Sequence, residues 1–189
     1  MTTTTSATPD LSLLARPSGG FAMLAIDQRE AMRAMFAAHQ SGPVTDEQIT
    51  EFKLAAARIL SPAASAVLVD RQFALDRVID EGVIDPAAGL IAAADHFTAG
   101  ADELVATVEI DEAVDPKHYR ERGVVALKLL VIYRPDGDPE QRLAMVDRFV
   151  RRCRDVRVLS IIEPVSRRPL DGRDWDWDEG VHHDLFRGR

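Results

Sequence analysis

One pattern recurs along the chain: a short apolar run that stops at an acid. Phe21-Ala22-Met23-Leu24-Ala25-Ile26 runs into Asp27, and Ser65-Ala66-Val67-Leu68-Val69 into Asp70. Gly89-Leu90-Ile91-Ala92-Ala93-Ala94 runs into Asp95, and Val158-Leu159-Ser160-Ile161-Ile162 into Glu163. Continuous apolar runs of this length, bounded by turn residues, read as strands buried on both faces. A further strand, residues 124–133, is the most apolar stretch of all. Helical spacing fills the intervals. Ala31, Met32, Met35 and Phe36 predict a helix over 28–38. Ile49, Phe52, Ala56 and Ile59 predict a second, and Leu143, Val146, Phe149 and Val150 a third over 139–154. Thr45-Asp46-Glu47-Gln48 matches a capping box at the start of the second helix, and Ser61-Pro62 ends it. Residues 105–110 are extended or form a loop ribbon. Asp115-Pro116 opens a short helix, and residues 11–15 form another that covers one end of the fold.

Strands alternating with helices imply βαβ units and a parallel sheet. The first strand begins near residue 21 and the fifth near 157, about 34 residues per unit. Eight such units would approach the roughly 250 residues of a (β/α)8 barrel. The expected class is therefore α/β, an incomplete (β/α)8 TIM barrel with about five of eight parallel strands. Residues 1–17 read as a disordered lead-in or short capping helix, and 18–177 as the N-terminal part of the barrel domain. Residues 178–189 form a tail that departs from the pattern, just after a helix opening near Trp175-Asp176-Trp177. Five parallel strands do not close, so two sheet edges and an apolar face are expected to meet water or a partner.

In parallel α/β folds chemistry collects at the carboxyl ends of the strands. The recurrence of Asp27, Asp70, Asp95 and Glu163 there points to a shared pocket. Lys128 interrupts nine aliphatic or aromatic neighbours, so its ammonium is either paired or depressed in pKa. It serves Schiff-base chemistry or proton transfer, or else it reaches the open end of a barrel and pairs with a carboxylate. Glu163, held before Pro164, acts as an acid or base, or as a cap or salt-bridge partner. Asp27 and Gln28 read substrate hydroxyls while Arg29 reads an anion, or Asp27 caps the next helix.

Composition narrows the classes. The net charge of −8 lacks the basic footprint of a nucleic-acid binder. No run of about 18 apolar residues predicts a membrane span. The first nine residues have neither a basic start nor an apolar core, so no secretory signal is expected. The lone cysteine, Cys153, excludes an internal disulfide and fits a reducing cytoplasm. It is one free thiol at a helix end, or a thiol whose pKa the flanking arginines lower. His39, His96, His118, His182 and His183 show no metal-ligand spacing, and no phosphate loop or nucleophile elbow is present. Neither metal nor cofactor is expected.

Residues 19–33, from Gly19 through Asp27-Gln28-Arg29-Glu30 to Arg33, are similar to the start of the class I aldolases of the sulfofructose-phosphate and tagatose-bisphosphate aldolase family. Residues 59–70, Ala126-Leu127-Lys128-Leu129-Leu130 and Leu159-Ser160-Ile161-Ile162-Glu163-Pro164-Val165 resemble it too, in the same order. The resemblance spans about residues 19–177. It implies a (β/α)8 lyase that cleaves a phosphorylated or sulfonated ketose phosphate to dihydroxyacetone phosphate and an aldehyde through a lysine Schiff base. It places Asp27 and Gln28 at substrate-binding positions, Lys128 at an auxiliary lysine and Glu163 at the proton-transfer acid/base. It also implies homo-oligomeric full-length relatives. The family's Schiff-base lysine lies on a sixth strand, and no lysine follows Lys128 here. An alternative expectation is therefore an inactive fragment, either a frameshift product or one that needs a complementing half.

Overall fold

The computed structural model describes residues 10–101 and 103–171. In chain order the strands are β1 (Met23–Ala25), β2 (Ala66–Asp70), β3 (Gly89–Ala93), β4 (Asp95–Thr98), β5 (Thr107–Ile110), β6 (Val124–Tyr133) and β7 (Leu159–Ser166). The helices are α1 (Glu30–Ala37), α2 (Asp46–Leu60), α3 (Leu75–Asp80), α4 (Pro116–Glu121) and α5 (Pro139–Asp155). One sheet runs β1-β2-β3-β6-β7 with every neighbouring pair parallel, the strand order of an incomplete (β/α)8 TIM barrel. β4 and β5 form a separate antiparallel hairpin. The lead-in 1–9, the helix expected near Trp175 and the tail 178–189 lie outside the described residues.

Strand alternation sorts the apolar side chains into two layers. Val67, Val69, Ala92, Leu127 and Leu129 pack with Leu54, Leu75, Val78 and Phe149 of the helices. Ala66, Ile91, Ala126 and Leu159 form the second layer, inside the curve of the sheet, and Leu14 closes its end. Leu14 comes from a 3-10 turn, Leu11–Leu14, capped by Asp10, whose carboxylate accepts from the Ser12 amide at 3.0 Å. This turn comes so close to β3 that a Cβ on Gly89 would lie 2.3 Å from the Leu13 carbonyl oxygen. Gly89→Ala should therefore cost about 1–3 kcal/mol in urea unfolding, as overpacking does.

The structure moves several expected boundaries. The third strand was expected to reach Asp95, but β3 ends at Ala93. Ala94 still donates to the Lys128 carbonyl at 2.8 Å, and then the chain turns outward into the hairpin. Residues 105–110 supply β5, its second strand. α3 was not anticipated. The capping box of α2 is present, with Thr45 N–H donating to Gln48 at 2.9 Å and Gln48 N–H to Thr45 at 3.2 Å. Its inner face is rotated from the expected one. Ile49, Thr50, Lys53, Leu54 and Ala57 are buried, whereas Phe52 and Ile59 are exposed. The cause is polar: Lys53 is drawn inward to an acid.

Cys153 lies on the inner side of α5 rather than at a reactive surface. Burial pushes its thiol up to about 12, and the opposing charge of Arg152 is too weak to reverse this. Of the two readings of Cys153 the free, unactivated thiol holds, and the thiol with a pKa lowered by its arginines is overturned. A disulfide reagent should label Cys153 slowly in the native protein and at once in urea.

Candidate active site

Lys128 and Leu130 lie on one face of β6, and their register partners Ile161 and Glu163 on the same face of β7. That face is the inside of the sheet. β1 delivers Asp27 to the same end, and Asp95 enters where the chain leaves β3. Lys128 Nζ sits 2.7 Å from Asp27 Oδ2, 2.9 Å from Asp95 Oδ2 and 3.0 Å from Glu163 Oε2. Its side chain is almost wholly buried. Burial by itself works to lower the pKa. The charges of Asp95 and Asp27, with their hydrogen bonds, outweigh it, so the pKa is raised and Lys128 is a fixed ammonium. Of the two expectations for Lys128, the geometry fits the lysine that pairs with carboxylates at the open end of the sheet, and its pKa is raised rather than depressed.

The cleft above this cluster has a volume of about 290 Å³. Asp27, Gln28, Gln72, Lys128 and Glu163 line it on the sheet side, and Phe97, Leu104 and Val105 on the hairpin side. Glu163 keeps 48% of its side-chain surface exposed, against 14% for Asp27 and none for Asp95. One carboxylate of the three is therefore open to solvent while still touching the ammonium. Asp27 does not cap α1: Arg29 holds the cap position, without a side-chain bond to the helix.

Asp70 and Asp95, expected beside Asp27 as substrate contacts, are turned away from the cleft. Asp70 is fully buried; it accepts from Lys53 Nζ and, at 2.9 Å, from the Phe73 amide. Burial pushes Asp70 up and Lys53 down, each opposed by the other's charge. Asp95 accepts from Arg29 at 2.7 Å, Lys128 at 2.9 Å and the Leu130 amide at 3.0 Å. Both acids support the site from beneath. Arg29, expected to read an anion, borders the cleft but is 8% exposed and bonded to Asp95. Lys53 falls outside the stripe Ile49, Phe52, Ala56 and Ile59 that the sequence points inward; its 3–4 spacing from Ile49, Thr50 and Ala57 is the signal for the face that is buried.

A family model described as DeoC/LacD family aldolase matches residues 21–177. The chain belongs to the DeoC/LacD aldolase family. The match runs from β1 through β7 and takes in Asp27, Gln28, Lys128 and Glu163. Among individual aldolases, the chain is 35% identical over 144 residues to tagatose 1,6-diphosphate aldolase 2 of Streptococcus pyogenes, covering 72% of this chain and 42% of that protein. It is 29% identical over 160 residues to tagatose 1,6-diphosphate aldolase 1 of Streptococcus mutans, covering 82% and 47%. The chain thus spans less than half the length of these aldolases. A solved Schiff-base-forming fructose-1,6-bisphosphate aldolase superposes with a TM-score of 0.47 at 17% identity, covering 85% of this chain and 58% of that one.

Proposed function

We propose that the cleft is the acid/base half of a class I aldolase site acting on a ketose phosphate or sulfo-ketose phosphate. The observation that carries the reading is the triple carboxylate cluster on Lys128, with Glu163 open to solvent at its rim. Asp27 and Gln28 bind substrate hydroxyls. Glu163 takes up and returns the proton as the carbon–carbon bond breaks, and dihydroxyacetone phosphate is one product. Lys128 holds Glu163 and Asp27 in register, a task for which a fixed ammonium is suited. Imine formation needs a neutral amine. None of the three lysines offers one to the cleft: Lys128 is held protonated, Lys53 is fully buried on Asp70, and Lys117 lies exposed on α4. The nucleophilic lysine of the reaction is therefore a residue other than these three.

Calorimetry with dihydroxyacetone phosphate tests the reading. Binding is expected, and Asp27→Asn and Gln28→Ala should each weaken it about tenfold, the worth of one good hydrogen bond to a charged or polar group. Binding indifferent to both substitutions would overturn it. The same positions of the three lysines, with β1 and β7 each paired on one side only among the described residues, favour a second reading. In it these 189 residues bind substrate but turn it over only with a complementing half. Borohydride reduction in the presence of dihydroxyacetone phosphate tests the second reading: none of the three lysines should be trapped, and an adduct on Lys128 would defeat it together with the role of Lys128 as a fixed ammonium.

A further inference from the structure

We propose that Arg29 is a positioning residue, which fixes the Asp95 carboxylate and through it the Lys128 ammonium in the cleft. Arg29 grips Asp95 twice. One guanidinium nitrogen donates to the Asp95 carbonyl at 2.8 Å, the other to Oδ1 at 2.7 Å. The backbone bond holds the point where the chain turns from β3 into the hairpin, and the side-chain bond sets the rotation of the carboxylate. That rotation leaves Oδ2 for Lys128 and the Leu130 amide. The guanidinium also stacks on the Phe97 ring, 4.3 Å from its centroid. Phe97 belongs to β4, so one side chain ties the β1 end, the hairpin and the Lys128 cluster together. Arg29 Nε is buried with no hydrogen-bond partner among the described residues. Leaving a buried donor unmade is costly, so the grip of the other two nitrogens decides where the group sits.

A role as a mere charge predicts the opposite sign from a role in positioning. Lys128 faces Asp27, Asp95 and Glu163, and among the described residues these are its ion-pair partners. Removing a neighbouring cation without moving anything holds the Lys128 proton more tightly. Releasing Asp95 from its place holds it less tightly. The chain has only three lysines, and they form a built-in assay. Lys117 is an exposed reference, Lys53 a fully buried monitor of folding and Lys128 the reporter.

The experiment is acetylation of the full chain with acetic anhydride at about pH 9, below the ordinary lysine value, read by mass spectrometry as the Lys128 to Lys117 labelling ratio. Arg29→Met should raise the ratio about tenfold, the effect of one lost close charge pair, with Lys53 staying unlabelled. A ratio unchanged or lowered would overturn the proposal. If Lys53 becomes labelled the variant has opened, and Phe97→Leu then decides. It removes the stacking ring at a half-exposed position and keeps every charge. It should raise the ratio in the same direction, and an unmoved ratio in that folded variant would overturn the proposal. The inference deepens the aldolase reading of this cleft, but the assay needs no substrate and no turnover, so either can fail alone.

Discussion

Replacing Lys128 by methionine should cost the fold about 3–5 kcal/mol, the loss expected when one partner of a buried charge cluster is removed. Asp27, Asp95 and Glu163 would then converge on an apolar side chain, with Arg29 left to balance Asp95 alone. The pH dependence identifies the cause. The native pKa of Lys128 is raised above the unfolded value of about 10.4, so its contribution is complete below that value and is lost only as pH climbs through the raised one. Between pH 5 and 8 the parent draws a constant benefit from Lys128. The variant should instead gain stability as pH falls over that range, because protonating any of the three acids relieves their repulsion. Urea unfolding of both proteins at the two ends of the range checks this; an equal loss at each would show that lost packing, not lost charge, is responsible.

The second large effect concerns the pair beneath the cleft. Lys53→Met alone, or Asp70→Asn alone, should destabilise by about 3–5 kcal/mol, since each leaves its partner buried without compensation. The double variant Lys53→Met/Asp70→Leu should recover most of that. A residue of about 1 kcal/mol should remain for the hydrogen bond that Asp70 accepts from the Phe73 amide. A double-mutant cycle measures the coupling directly. Additive single losses would mean that the two groups do not depend on each other.

The parallel order was legible because burial on both faces forces unbroken apolar runs, and an acid beside the end of such a run is conspicuous, although β3 stops short of Asp95 and β7 runs on past Glu163. Lys128, Glu163 and Asp27 were found by that contrast. What escaped was the partition of the acids. Asp70 and Asp95 follow the same pattern as Asp27 and Glu163, yet they meet cations held by other elements, Lys53 on α2 and Arg29 before α1. Those partners lie 17 and 66 residues away along the chain. Local pattern does not encode such distances. Likewise the stripe Ile49, Phe52, Ala56, Ile59 satisfied helical spacing, but a buried ion pair outranked it and turned the helix. The hairpin was hidden by alanines, since Ala93 and Ala94 fit a strand equally well on either side of the bend.

The turn that brings Leu14 under the sheet gives the concave side a floor, leaving its rim as the way in. A floor makes the site directional for isotopes as well as for ligands. In deuterated water, a proton carried by the half-exposed Glu163 at the rim would be washed out quickly, whereas one carried by Asp95, shut in beneath Lys128, would be retained. Retention or loss of label in a product thus reports which carboxylate carried the proton.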